Sequence, residues 1–272
     1  MIEDQENEPD SWIFVSHSHK DIVKVRQVRN ELERLGKSAL LFFLKCLGDY
    51  GDELPDLLRR EIAARNFFVL CDSANARASR WVQKEMDYIK GMVEKRYEIV
   101  DLSRPFEEQV RKLLALRRAS TVVMTYSHEL NTDLADRIAA RLRDSDFTVF
   151  KPMLAGSAQE LSRAQHEAMD EAAARGCWMP VLGYDTPAFS RAMLGLLLKK
   201  LQKHQDAWDP AKNSSRPPLD VVPVIVNHAA TIKNNLGVFP PEFVNNVVDL
   251  TTGPFDERVS ELVRKLMVRP LE

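Results

Sequence analysis

Two pairs of matching sequence landmarks occur along the chain, and this repeat strongly limits the folds that it can adopt. Residues 11–21 read SWIFVSHSHKD and residues 120–130 read STVVMTYSHEL. Residues 100–110 read VDLSRPFEEQV, and residues 248–259 read VDLTTGPFDERV. Each landmark is a strand-like apolar run followed by similar polar residues, which indicates two copies of one fold. Between the landmarks the copies differ, because ASRWVQKE in the first corresponds to FSRAMLGL in the second.

Short apolar runs alternate with amphipathic stretches in both copies. In the first copy, WIFVS is followed by a stretch with helical spacing that Asp21 caps and Gly36 ends. ALLFFL, FFVLCD and YEIVDL are further strands, and this alternation predicts an α/β fold with a central, mostly parallel sheet flanked by helices. The second copy repeats the order and adds a strand at VVPVIVN. We expect one domain at residues 11–118 and another at residues 119–270.

Composition excludes several classes of function. A net charge of −2 over 272 residues provides no electrostatic attraction to nucleic acid or to an anionic membrane. The acidic start MIEDQENEPD does not resemble a signal peptide, and no apolar run approaches the length of a membrane span. Cys46, Cys71 and Cys177 lie beside apolar residues, as expected of reduced, buried thiols in a cytoplasmic protein. The histidines have no metal-ligand spacing, so no metal site is predicted.

The first copy resembles the Toll/interleukin-1 receptor (TIR) domain family. The resemblance rests on the opening IFVSHSHKD, the aromatic second strand LLFFL, the loop GDYGDEL, and SRWVQKE after the third strand. It covers residues 11–116 well and the rest in outline. It implies two flavodoxin-like domains, a TIR domain and a degenerate TIR-like copy. In TIR domains that cleave NAD, the Glu of the W-x-x-x-E segment is catalytic, and this position is Glu85 here.

The residues around Glu85 are compatible with that role. Helical periodicity places Val82, Met86, Ile89 and Val93 on the buried stripe of a helix running from Trp81 to about Glu94, with Glu85 on its shoulder. Partial burial raises the pKa of a carboxyl group, whereas the nearby helix N-terminus lowers it. The residues alone are equally compatible with a Glu that solvates the edge of the helix.

Other candidate site residues are implied by the resemblance. An aromatic at the end of the second strand, Phe42 or Phe43, would stack on nicotinamide or adenine, or both rings would lie in the core. The family often has an acid after this aromatic, but Leu44 and Lys45 stand here. Candidates for substrate contact are Trp81, Ser16, His17 and Ser18, with core packing or turn capping as the alternatives. The family's interaction loop, which joins neighbouring domains, corresponds to Gly48, Asp49, Tyr50, Gly51 and Asp52.

These features lead to three hypotheses of function. The first is an NAD nucleosidase that needs no cofactor beyond NAD as its substrate, and that acts in bacterial defence against phage. The second is a non-catalytic TIR scaffold that works by self-association or with a defence-system partner. The third is a nucleoside-processing enzyme, because nucleoside deoxyribosyltransferases also combine a flavodoxin-like sheet with a catalytic Glu.

The second copy is expected to be catalytically inactive. Leu196 stands at the position of Glu85 and Ala192 at that of Trp81. An aliphatic side chain cannot stabilise the positive charge that develops when a glycosidic bond breaks. The apolar run AMLGLLL is suited to packing, so we expect residues 119–270 to serve as an assembly or regulatory partner of the first domain.

Overall fold

The computed structural model divides into two compact units, Met1–Ser120 and Thr121–Glu272. It describes residues 11–41, 56–127, 132–151, 153–154, 163, 166–167, 170, 177–183, 195–200, 203, 220–226 and 244–268. None of the helices among these residues is long and apolar enough to cross a membrane.

The first unit is a parallel sheet flanked by helices. Its strands are β1 (Trp12–Ser16), β2 (Ser38–Leu41), β3 (Phe67–Asp72) and β4 (Arg96–Asp101). Its helices are α1 (Ile22–Arg34), α2 (Asp56–Ala64), α3 (Ala74–Arg77), α4 (Arg80–Lys90) and α5 (Phe106–Ala119), with a 3₁₀ turn at His19–Asp21. The strand order is β2-β1-β3-β4, and every pairing is parallel. This is the flavodoxin-like order, in which ligand sites lie beyond the carboxyl ends of the strands.

The core of the first unit forms where the predicted strands are most apolar. Phe14 of β1 and Phe68 of β3 are fully buried, with ring centroids 5.8 Å apart. The predicted apolar face of α1 is also buried, at Val25, Val28 and Leu32. Such burial contributes roughly 1.5–3 kcal/mol for each large apolar side chain. The same core holds α4, the helix that carries Glu85, against the sheet.

The second unit has the same architecture with an additional strand in the path. Its strands are β5 (Thr121–Ser127), β6 (Thr148–Phe150), β7 (Met153–Leu154), β8 (Cys177–Leu182), β9 (Asp220–Val221), β10 (Val224–Ile225) and β11 (Val248–Asp249). The helices of this unit that the structure describes from end to end are α6 (Thr132–Asp144) and α7 (Phe255–Met267). The order is β11-β10-β8-β5-β6, all parallel, with β7 on β5 and β9 on β8. The strand predicted from VVPVIVN is therefore present, between β8 and β11.

Matching backbone hydrogen bonds occur in both units after the first helix. At the end of α1, the N–H of Lys37 donates to the carbonyl of Leu32 at 3.0 Å. At the end of α6, the N–H of Phe147 donates to the carbonyl of Leu142 at 3.0 Å. Both are Schellman motifs, which require a residue of positive φ at the position after the cap. That residue is Gly36 in the first unit, at φ 74°, and Asp146 in the second, at φ 62°.

The closing landmarks also share their geometry. Asp101 Oδ1 accepts hydrogen bonds from the backbone N–H and the hydroxyl of Ser103, at 2.8 and 2.6 Å. Asp249 Oδ1 accepts from the same two groups of Thr251 at the same distances. In each unit a Pro then precedes the last helix. The two units thus share local structure at the closing landmark and at the end of the first helix.

A Gly36→Ala substitution should lower the free energy of unfolding by about 1 kcal/mol, because a Cβ is disfavoured in the left-handed region. Steric contact does not contribute, since a Cβ at Gly36 has no atom within 4 Å. Chemical denaturation measures the change. Gly36→Asn is the matched control, because Asn tolerates positive φ despite its greater size. A larger loss with Asn than with Ala would contradict the backbone explanation.

The structure corrects one predicted boundary. The helix that carries Glu85 was expected to reach about Glu94, but α4 ends at Lys90, and Gly91 follows as its C-cap. Val93, expected on the buried stripe, is therefore 96% exposed, whereas Val82, Met86 and Ile89 are buried as predicted. The helix ends early because the chain must turn to enter β4 at Arg96, and the turn is closed by the N–H of Met92 bonding to the carbonyl of Ile89.

Candidate functional site

The carboxyl edge of the first sheet brings Ser16 and Glu85 into direct contact. Ser16 is the last residue of β1, and Glu85 lies in the middle of α4. The Ser16 hydroxyl donates to Glu85 Oε2 at 2.6 Å, and the two residues are 1% and 3% exposed. Two residues separated by 69 positions thus meet inside the fold. The amphipathic pattern of α4 predicted the shoulder position of Glu85 but not such deep burial.

Burial dominates the electrostatics of Glu85. It raises the pKa of the carboxyl group from 4.5 to about 7, and the hydrogen bond from Ser16 opposes the shift. Among the described residues, no lysine, arginine or histidine forms an ion pair with this carboxylate. The charged form is therefore poorly solvated, as is common for catalytic carboxyl groups. Near pH 7 the side chain can either hold a proton or carry a charge.

The two residues after Ser16 are buried beside this contact. His17 Nδ1 lies 3.0 Å from the carbonyl oxygen of Val15. Since a carbonyl only accepts, Nδ1 carries the proton in this contact. Burial lowers the pKa of His17, and that hydrogen bond and the charge of Asp21 oppose the shift. Ser18 caps the 3₁₀ turn, because its Oγ accepts from the N–H of Lys20 at 3.4 Å.

Trp81 lies in the first turn of α4, one helical turn before Glu85. Its ring is partly buried and packs against the apolar core, with Lys84 Nζ 5.8 Å from the ring centroid. Much of the Trp81 side chain is therefore engaged in core packing, the alternative to substrate contact. The other predicted contacts, Phe42 and Phe43, and the interaction loop at residues 48–52 lie outside the described residues.

Asp21 is a residue of this edge whose contacts sequence reasoning missed. It was predicted to cap α1, but its side chain makes no capping hydrogen bond there. Instead its carboxylate accepts from Ser73 Oγ at 2.5 Å and from Asn75 Nδ2 at 2.7 Å. The signal in the sequence was the polar loop SANAR after β3, which supplies both donors.

The corresponding edge of the second unit is arranged differently. Thr125 aligns with Ser16, and its Oγ1 accepts a hydrogen bond from Trp178 Nε1 at 2.9 Å. Trp178 is fully buried on the neighbouring strand β8. Leu196 is part of a helical segment, residues 195–200, and is partly buried. Ala192 lies outside the described residues. The hydroxyl of Thr125, which corresponds to that of Ser16, is thus bonded to an indole N–H and not to a carboxylate.

Among the described residues, no group of three or more His, Cys, Asp or Glu side chains could hold a metal ion. Cys71 and Cys177 are buried and neither forms a disulfide. Burial raises the pKa of the Cys71 thiol, so it is held in its unreactive protonated form.

One comparison with known protein families finds a match within the first unit. Residues 13–114 match the model of the family described as TIR domain. No curated protein and no solved structure matches the chain at a significant level. The family match lies wholly within the first unit, so the interpretation of the second unit as a degenerate TIR copy rests on the internal landmarks and stays a prediction.

Proposed function

We propose that the TIR domain at residues 13–114 cleaves the bond between nicotinamide and ribose in NAD, with Glu85 as its catalytic residue. TIR domains include NAD-cleaving enzymes as well as scaffolds. The observation that carries the proposal is the buried Glu85 carboxyl with a pKa raised to about 7. A structural role would be filled better by an apolar side chain, since an unpaired buried carboxylate destabilises a fold. A destabilising, perturbed acid at the ligand edge of an α/β sheet is typical of a functional site.

The reaction suits a single carboxylate. When the bond between the nicotinamide nitrogen and ribose C1′ breaks, its electron pair stays on nitrogen and neutralises the pyridinium ring. The ribose passes through an oxocarbenium-like state, which a nearby carboxylate stabilises or traps. No acid is needed for the leaving group. Water then adds hydroxide to C1′ and releases a proton, giving nicotinamide and ADP-ribose; attack by a group of the same molecule would give a cyclic isomer.

Ser16 supports the charged form of Glu85 in this scheme. Its hydroxyl donates to Oε2 and lowers the pKa of the carboxyl group, against the effect of burial. Without that donor a larger fraction of Glu85 would be protonated at neutral pH and unable to stabilise a cation.

The purified 272-residue chain, incubated with NAD and monitored for nicotinamide release, tests the proposal. The same assay with nucleosides separates NAD cleavage from nucleoside processing. Nucleoside cleavage without NAD cleavage would contradict the choice of substrate.

We place the activity, as the resemblance suggests, in a bacterial response to phage, with self-association or a defence-system partner as the trigger.

The near-complete burial of Glu85 favours a second candidate, a TIR scaffold without catalysis. At 3% exposure the carboxyl group cannot contact ribose unless the surrounding residues open. A scaffold would keep its oligomeric state and partner binding when Glu85 is replaced, and it would leave NAD intact in every assembled form. An assembled, partner-bound sample that fails to release nicotinamide would therefore favour the scaffold.

The second unit should affect activity and assembly. We expect the fragment Met1–Ser120 to fold but to differ from the full chain in oligomeric state and to release nicotinamide several-fold more slowly. The fragment keeps Ser120, because its carbonyl accepts a hydrogen bond from the buried Lys37 Nζ at 3.0 Å. Light scattering and the NAD assay measure the two properties. A fragment that matches the full chain in both would show that the second unit is not an assembly partner.

A further inference from the structure

A single carboxylate joins the two loops that flank the candidate site. Asp21 lies after β1, and its oxygens accept from Ser73 Oγ at 2.5 Å and Asn75 Nδ2 at 2.7 Å. Both donors follow β3, more than 50 positions along the chain. Hydrogen bonds to an ionised acceptor are about twice as strong as neutral ones. Asp21 therefore holds the β3 loop in a defined place relative to β1.

From Ser73 the hydrogen bonds continue to the helix that carries Glu85. Ser73 Oγ also accepts from the N–H of Ala76 at 2.9 Å, which caps α3. The carbonyl of Ala76 in turn accepts from Gln83 Nε2 at 3.1 Å. Gln83 lies on α4, two positions before Glu85. The connection thus runs from Asp21 through α3 to α4.

The contact between Ser16 and Glu85 closes these connections into a ring. Ser16 ends β1, five positions before Asp21, and the N–H of Asp21 bonds to the carbonyl of Ser18 at 2.9 Å. The ring fixes α4 at two points, Gln83 and Glu85. In the second copy both acids of the ring are replaced, by Leu130 at the position of Asp21 and Leu196 at that of Glu85. The two acids are lost together, as expected if one serves the other.

We propose that Asp21 is a positioning residue that holds α4 in the place where the Glu85 carboxyl meets Ser16. Its catalytic consequence rests on the proposed function; its structural consequence does not. Removing the carboxylate leaves Ser73 and Asn75 without their shared acceptor and releases the N-terminal half of α4. Glu85 then becomes more hydrated and loses its alignment.

The activity of the 272-residue chain with Asp21→Ala gives the first readout. We expect kcat for NAD cleavage to fall roughly 10- to 100-fold, as for a misplacement of about 1 Å, with KM changed far less. Asp101→Ala is the matched control, since Asp101 also accepts hydrogen bonds at this edge but only within its own turn. Equal losses in the two variants would overturn the proposal.

The pH dependence of stability gives a readout that needs no activity. The gain in stability from Glu85→Gln is measured against pH, once in the wild-type chain and once with Asp21→Ala. We expect the pH at which this gain levels off, about 7 in the wild-type chain, to move toward 4.5 by roughly one unit or more when Asp21 is absent. The titratable groups on the neighbouring segments stay the same within each comparison: His17 after β1, Cys71 and Asp72 of β3, and Lys84 and Asp87 of α4.

The outcomes separate the two proposals. An unchanged levelling-off pH overturns the positioning role, because a purely structural Asp21 lowers stability without altering the environment of Glu85. A shifted levelling-off pH with no NAD cleavage by any chain supports positioning and contradicts the proposed function. If Asp21→Ala does not fold, Asn75→Ala replaces it, because this substitution removes one of the two hydrogen bonds to Asp21. It should give a smaller shift in the same direction. No shift in Asn75→Ala would also overturn the proposal.

Discussion

Glu85→Gln should reduce nicotinamide release by at least about 10²- to 10³-fold, the size of effect seen when a charge-stabilising group is removed from an active site. The amide has the shape of the carboxyl group and can still accept the Ser16 hydrogen bond, so the fold should be retained. It carries no charge, and therefore it cannot stabilise the oxocarbenium-like state. Initial rates at saturating NAD, measured at pH 8 where the wild-type carboxyl is ionised, give the comparison.

Glu98→Gln is the matched control for this experiment. Glu98 is a second buried glutamate of the same unit, on β4, and its carboxylate lies 3.3 Å from Lys112 Nζ. It has no contact with Ser16, so its replacement should leave the rate within about twofold of wild type if the protein remains folded. Activity that survives in Glu85→Gln would remove Glu85 from the mechanism.

The same Glu85→Gln substitution should stabilise the protein at alkaline pH. The folded state binds the Glu85 proton more tightly than the unfolded state does, with pKa values of about 7 and 4.5. The contribution of this group to stability is therefore fully present below pH 4.5, falls as pH rises to 7, and stays low above it. We compare the free energy of unfolding of the variant with that of wild type at each pH. This difference should favour the variant by about 3 kcal/mol more at pH 8 than at acidic pH.

Denaturant titrations at several pH values between 4 and 8 measure this gain. Glu98→Gln again serves as the control, and it should show no gain at pH 8, because it loses the ion pair with Lys112. A gap between wild type and Glu85→Gln that stays constant from pH 4 to 8 would mean that the carboxyl group is well solvated. Loss of activity together with increased stability would identify Glu85 as a residue retained for function.

Sequence reasoning reached the parts of the fold that local pattern determines. The apolar run of β1, the helical spacing of α1 and the glycine that ends it at Gly36 all appear as predicted. These features depend on residues within a few positions of one another. The end of α4 was misplaced because the turn at Gly91 depends on where β4 begins, and that is fixed by pairing with β3.

The site was predictable only in part, for the same physical reason. Helical periodicity placed Glu85 on the shoulder of α4, but the hydrogen-bond donor to its carboxyl group is a hydroxyl at a distant strand end. Asp21 looked like a helix cap because Asp commonly is one, whereas tertiary contacts give its carboxylate two better donors. Ser18 illustrates the reverse case, since the local capping alternative accounts for its observed contact. Contacts between distant loops carry no local pattern that a single sequence reveals.

The short pairing of β11 in the second sheet affects whether each copy pairs with its own strands while the chain is being synthesised. Tandem copies of one fold are prone to strand exchange between domains. β4 pairs with β3 over six residues, whereas in the described part of the second unit β11 pairs with β10 over two residues. The later VDL segment would therefore recover few pairings if it docked on β3 in place of β4. Since the N-terminal copy is also synthesised first, its sheet can be completed before this competitor exists, and each copy retains its own closing strand.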